Sequence, residues 1–264
     1  MRTPNPVEFA TRANAVEARL LPLGRFIERF GEALDPPILY RSARQNQGFR
    51  YLAPDARHFC LLKGARAVSG MNASALLARG GYPQEIAVLI RTVVECTSHI
   101  DFILLSAGAD GTMSPGAAAT FMRKYFADYQ RDEPTDYRKA PLPQEKVHRS
   151  VGDWLDIRAR AIGLNAGTRA MHELMWNVYL RFSAYVHARY PEAIDLYGGN
   201  PGQFHPAGMR GTPKDGENLD IIETFITTVS QSLAHVALHF ELGFVGNDPI
   251  LRPWAEELEL WSLL

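Results

Sequence analysis

Apolar residues recur along most of this chain at spacings of three and four, the period of a helix surface. No run alternates apolar and polar positions as a half-buried strand does. The pattern predicts helices over residues 6–34, 55–79, 83–106, 115–130, 146–162, 168–188 and 219–243, with a short last helix over 253–263. Pro6, Pro83, Pro115 and Pro253 suit first-turn positions, where a missing N–H costs nothing. Asp55 and Asn218 are placed to cap helix starts, and Gly80-Gly81 and Gly243 to end helices. Residues 35–52, 131–144 and 198–216 read as loops, the last too rich in glycine and proline for regular structure. The expected fold is all-α, a single helical bundle of six to eight helices with long irregular loops. Within it, residues 1–54 supply an N-terminal helix and polar loop, 55–245 the main bundle, and 246–264 an acidic tail with a short helix.

Two of these helices carry polar residues where a simple amphipathic helix would not. On 83–106, Ile86, Leu89, Ile90, Val93, Ile100 and Leu104 form one apolar face, while Arg91, Glu95 and His99 follow at i, i+4 and i+8 on the other. Val88 and Phe102 flank that polar stripe, so the helix is expected to be buried on both sides, with Arg91 and Glu95 paired. On 168–188, Met171, Leu174, Met175, Val178, Phe182 and Tyr185 share a face. Trp176, Leu180, Ser183 and His187 lie together about 140° around it, at 100° per residue. Packing these helices together predicts a buried polar layer of Arg91, Glu95, Ser183 and His187.

Composition excludes disordered, collagen-like and disulfide-stapled chains: 46% of the 264 residues are hydrophobic and 22% charged. Cys60 and Cys96 fall in apolar helical segments and read as reduced core thiols. Charge is more informative. The formal net charge is −1, yet residues 1–70 carry +5, 71–214 carry +2 and 215–264 carry −8. Either the two ends of the chain lie side by side, or genome composition favours Arg codons (23 Arg to 5 Lys), or the basic part meets a phosphate-bearing partner. Residues 1–8 lack the apolar core of a secretory signal. The apolar stretch 86–105 is interrupted by Arg91, Glu95, His99 and Asp101, so no membrane partner and a cytoplasmic location are expected.

Candidate chemistry is sparse. His187 has the titration range of a general acid or base, and Arg91 with Glu95 suits a substrate clamp beside a carboxylate base. Glu95/His99 and His235/His239 each place two metal-ligand types on one helix face, as a bundle metal site requires. They are weak candidates, because His235 turns away from the apolar face of its helix; no metal or other cofactor is expected. Phosphate-binding glycine loops, dinucleotide fingerprints and nucleophile elbows are absent from the sequence. Tyr125, Tyr129 and Tyr137 with Arg123, Lys124, Arg131 and Arg138 make an aromatic and basic patch diluted by Asp128, Asp132, Glu133 and Asp136. Trp254 and Trp261 are expected to dock back on the bundle.

The run Leu76-Leu77-Ala78-Arg79-Gly80-Gly81-Tyr82, followed by Arg91-Thr92-Val93-Val94-Glu95, resembles the signature of a bacterial helical family of unknown function. Trp154, Arg158, Ala161, Gly163, Tyr179 and Ser183-Ala184-Tyr185-Val186-His187 extend the resemblance over about residues 55–198. That family is distantly similar to HEPN proteins, small helical bundles that often act as metal-independent ribonucleases and carry Arg, four to six residues, then His. Here Arg181 and His187 fit that spacing, with Phe182 where a polar residue is common. The resemblance implies that Arg181 holds a phosphate and that His187 exchanges a proton with a ribose 2′-hydroxyl.

The first reading is therefore an RNA-cleaving or RNA-binding enzyme using His187, Arg181, Glu95, Arg91 and Ser183, which expects an open basic cleft. The second is a non-catalytic interaction module, with a protein partner or a second copy of the chain, which expects a sealed polar layer. The third is a helical-bundle metal protein.

Overall fold

The computed structural model describes residues 3–41, 47–127, 146–147, 149–151, 168–197 and 202–262. The expected loop 131–144 and most of the expected helix 146–162 lie outside these residues. So do Tyr129, Tyr137, Arg131 and Arg138 of the aromatic and basic patch, Trp154 to Gly163 of the resemblance, and the side chains of Met171, Leu174, Met175 and Trp261.

The fold is an all-α bundle. Helix α1 (Pro6–Glu32) starts where Asn5 accepts the Glu8 N–H at 2.8 Å and Pro6 takes the first turn. Phe9, Ala13, Val16, Leu20, Leu23, Phe26 and Phe30, at helical spacing, bury one side of it. Helix α2 (Ala56–Gly80) is capped by Asp55, whose carboxylate accepts the N–H groups of Arg57 (2.9 Å) and His58 (3.2 Å); the His58 ring in turn accepts the Asp55 N–H at 3.3 Å. Helix α2 ends at Gly81 with φ 77°, and the Gly81 carbonyl accepts the Met209 N–H at 2.6 Å. Side chains are excluded there, because a Cβ on Gly208 would lie 2.3 Å from the Gly80 carbonyl oxygen.

Helix α3 (Pro83–Leu104) buries Ile86, Ile90, Val93, Ile100 and Phe102 together with Thr97, Ser98 and His99, and is thus covered on more than one side as its sequence implied. With α6 (Lys214–His239), helices α1, α2 and α3 form the four-helix centre. Helix α4 (Ala117–Ala127) and α5 (Thr168–Val186) pack on α3. Helix α7 (Arg252–Ser262) lays Trp254 against Phe26, ring centroids 5.5 Å apart. The fully buried Phe26, Phe30, Phe59, Leu23, Met71 and Ile86 belong to one continuous core, each contributing about 1.5–3 kcal/mol by its burial. Cys60 and Cys96 are buried free thiols within it.

Among the described residues α6 is the one helix long and apolar enough to cross a membrane by length and composition. In this fold its Leu219, Ile222, Ile226, Val229 and Leu233 are buried in the bundle.

Several local expectations are corrected. Residues 35–52 are not all loop: β1 (Ile38–Arg41) and β2 (Gln47–Arg50) pair antiparallel, Leu39 opposite Phe49. Ile38, Leu39, Tyr40 and Phe49 are all exposed, so neither face is selected for burial and no alternation marks the strands. Asn218 is no N-cap. Helix α6 begins five residues before Leu219, and Asn218 is buried within it. Pro115 precedes the first helical residue of α4 by two positions. Gly243 does not end α6. The stop comes earlier at Glu241, with φ 52°, where its N–H donates to the Leu238 carbonyl (3.4 Å) and the Leu242 N–H to the Ala237 carbonyl (2.9 Å).

Ion pairs join the basic and acidic ends of the chain. Arg12 of α1 meets Asp220 (2.7 Å) and Glu223 (3.0 Å) of α6, and Arg25 meets Asp248 at 2.8 Å, with Arg29 3.7 Å from the same carboxylate.

Candidate functional site

Arg91 and Glu95 form the expected ion pair one turn apart on α3. The pair is not sealed: the side chains are 25% and 30% exposed. Helix α5 brings Tyr179 onto it. Arg91 Nη2 donates to the Tyr179 hydroxyl at 2.5 Å, and the guanidinium carbon lies 4.7 Å from the centre of the Tyr179 ring. Tyr179 stacks on Trp176 three residues earlier, with centroids 5.3 Å apart and planes 13° from parallel. The result is a half-exposed cation–aromatic stack at the α3–α5 seam, with the guanidinium oriented from both sides.

Two cations of α2 act on the residue next to Glu95. Cys96, next to Glu95, is buried, and burial raises its thiol pKa against the opposing pull of Lys63, Arg66 and Arg91. Burial lowers the Lys63 amine below the usual lysine range, and its ammonium lies over the rings of Tyr125 (4.9 Å) and Phe59 (5.7 Å). Arg66 is exposed.

The rest of the expected polar layer is only partly assembled. The Ser183 hydroxyl is buried on α5 with no hydrogen-bond partner among the described residues. His187 is not buried in a layer, because α5 ends there. Its N–H still donates to the Ser183 carbonyl at 3.2 Å. The following residues then close the helix: Ala188 N–H donates to the Tyr185 carbonyl and Arg189 N–H to the Ala184 carbonyl, both at 3.1 Å. Arg181 is exposed as well, and its charge acts on Tyr185. At 100° per residue Arg181 and His187 point about 120° apart, so one chain does not turn both toward a common point. The Tyr185 hydroxyl donates to Asp195 at 3.1 Å. Burial, then the Asp195 charge and hydrogen bond, push this phenol up to about 12. Lys214 at the start of α6 approaches the same carboxylate at 3.6 Å.

The metal candidates scatter. Glu95 is engaged by Arg91. His99 packs edge-on against Phe121 at 4.8 Å. His235 Nδ1 is 3.7 Å from Asp101, and His239 Nε2 is 3.0 Å from the Ala107 carbonyl oxygen. No group of three or more His, Cys, Asp or Glu side chains able to hold a metal occurs among the described residues.

Sequence reasoning missed Lys63 and Arg66, which sit in a helix with no repeating polar pattern, and missed Tyr179 as the partner of Arg91. The i, i+3 spacing of Trp176 and Tyr179 was the available signal for the stack. Comparison of the chain with protein-family models, with curated proteins and with solved structures finds no match.

Proposed function

We propose that this chain is an RNA-binding protein of HEPN-like character, and that its α3–α5 seam takes a single-stranded segment. The observation that carries the reading is the Arg91–Tyr179–Trp176 stack, a guanidinium fixed beside parallel aromatic rings. Single strands are bound by this pairing of phosphate-seeking cations with aromatic platforms. Arg66, exposed on the neighbouring helix α2, adds positive charge, and the Glu95 carboxylate is paired with Arg91. Because Arg181 and His187 diverge within one chain, binding is favoured over cleavage by that pair.

The test is fluorescence anisotropy with a labelled single-stranded RNA of about twelve nucleotides, the mixtures also being run on a gel for cleavage. Arg66→Glu and Trp176→Leu are expected to weaken binding about tenfold each, the scale of one lost base stack or a reversed phosphate contact. His187→Ala and Arg181→Ala are expected to leave binding intact. No binding at low salt, or binding indifferent to Arg66→Glu and Trp176→Leu, contradicts the proposal. Cleavage abolished by His187→Ala and Arg181→Ala would restore the catalytic reading.

A further inference from the structure

We infer that a single strand lying in the α3–α5 seam continues past the end of α5 onto a second stacking platform, formed by Tyr197 and Phe204; this rests on reading the seam as an RNA site. Two hydrogen bonds fix the direction of the seam. At one end Arg91 reaches Tyr179. Gln84 lies seven residues earlier on α3, which returns it to the same face of the helix about 10 Å away. Its Nε2 donates to the Glu192 carbonyl at 2.6 Å, and Glu192 belongs to the single helical turn Tyr190–Ala193 that follows α5. Val88 falls between Gln84 and Arg91 on that face and is 37% exposed, so solvent reaches the seam between its two anchors.

The Gln84 end carries aromatic surface that the core does not use. Tyr190, Tyr197 and Phe204 are all exposed. Tyr197 and Phe204 are opposed by backbone pairing, the His205 N–H donating to the Leu196 carbonyl at 3.0 Å, and their ring centroids lie 5.4 Å apart. Large apolar side chains gathered at the surface in this way mark an interaction site. The charge beside them selects the partner. Arg189 is exposed and meets no carboxylate among the described residues. Of the two acids in the same stretch, Asp195 accepts the Tyr185 hydroxyl and lies 3.6 Å from the Lys214 ammonium, and Glu192 has one carboxylate oxygen buried. Open ring faces beside an unmatched guanidinium suit bases and phosphates. At about 3.4 Å per nucleotide, a strand needs about three nucleotides to cross the seam, besides those stacked at each end. A tetranucleotide therefore engages one platform and a longer strand both.

Fluorescence anisotropy of the full chain with a labelled tetranucleotide and a labelled single-stranded RNA of about twelve nucleotides tests this extension. Phe204→Ser and Tyr197→Ser are each expected to weaken the longer strand about tenfold, the scale of one lost base stack, and the tetranucleotide less than about twofold. Trp176→Leu is expected to weaken both lengths. Phe204 is 53% exposed, so its variant carries the test even if Tyr197→Ser fails to fold. If Trp176→Leu weakens binding while Phe204→Ser leaves the longer strand unaffected, the second platform is overturned and the seam reading stands. Equal weakening of both lengths by Phe204→Ser also overturns it. So does self-association that Phe204→Ser abolishes with RNA binding unchanged, which would make the patch a contact between copies of the chain. Failure of both strands to bind overturns the seam reading and the second platform together.

Discussion

Ala188 holds a backbone conformation that suits glycine: φ is 44°, at the position where the chain leaves α5. A Cβ in this left-handed region is strained, whereas glycine adopts it freely. Ala188→Gly is therefore expected to raise stability by about 0.5–1 kcal/mol, measured by urea unfolding, without loss of helix signal. Asp55 works in the opposite sense at the start of α2. Burial alone would raise its pKa, but hydrogen bonds from His58 and Arg57 outweigh it and hold the carboxyl at about 2, against an ordinary 3.8. A carboxyl lowered by folding stabilises fully above its unfolded pKa and loses that contribution as pH falls through the folded value. The loss is about 1 kcal/mol between pH 4 and 2, after allowing for solvent screening of a partly exposed group. Urea unfolding across that range is expected to show this slope in the parent protein and to show it reduced in Asp55→Asn. Phe26 stands at the other extreme, fully buried and in ring contact with Phe30, Phe244 and Trp254. Phe26→Ala is expected to cost about 3–5 kcal/mol by the same assay.

The helices were legible in the sequence wherever one apolar face had to be buried. Helix α1 shows this best: its buried residues from Phe9 to Phe30 keep the helical period, with Asn5-Pro6 marking the start. The hairpin was not legible, because Leu39 and Phe49 face solvent and nothing imposes a period of two. The stop of α6 was hidden because Glu241, rather than a glycine, takes the left-handed position. The Arg91–Glu95 pair was legible as a pair, but its exposure was not, since α5 covers it only in part. Its exposure sets the expected energetics. A sealed pair would cost 3–5 kcal/mol to break, whereas a pair a quarter to a third exposed is worth about 1 kcal/mol. Glu95→Ala is expected to lower unfolding stability by about that amount. A loss above 3 kcal/mol would mean the pair is sealed in solution.

Across the whole molecule, the charge imbalance between the ends of the chain is answered within the fold, by Arg12 against Asp220 and Glu223 and by Arg25 against Asp248. The overall basic and acidic balance thus carries no argument for a nucleic-acid partner. The argument is local: Arg91 is held on the Tyr179–Trp176 stack, with Arg66 exposed on the neighbouring helix α2. An account built on stacking makes a choice between nucleic-acid forms, because a single strand offers base faces and a duplex hides them. The most direct measurement is competition by unlabelled single-stranded and double-stranded RNA of equal length against a labelled single strand, at 50 and 200 mM salt. The account predicts at least tenfold better competition by the single strand, with affinity falling steeply as salt rises. Equal competition by the duplex, or binding indifferent to salt, would contradict it.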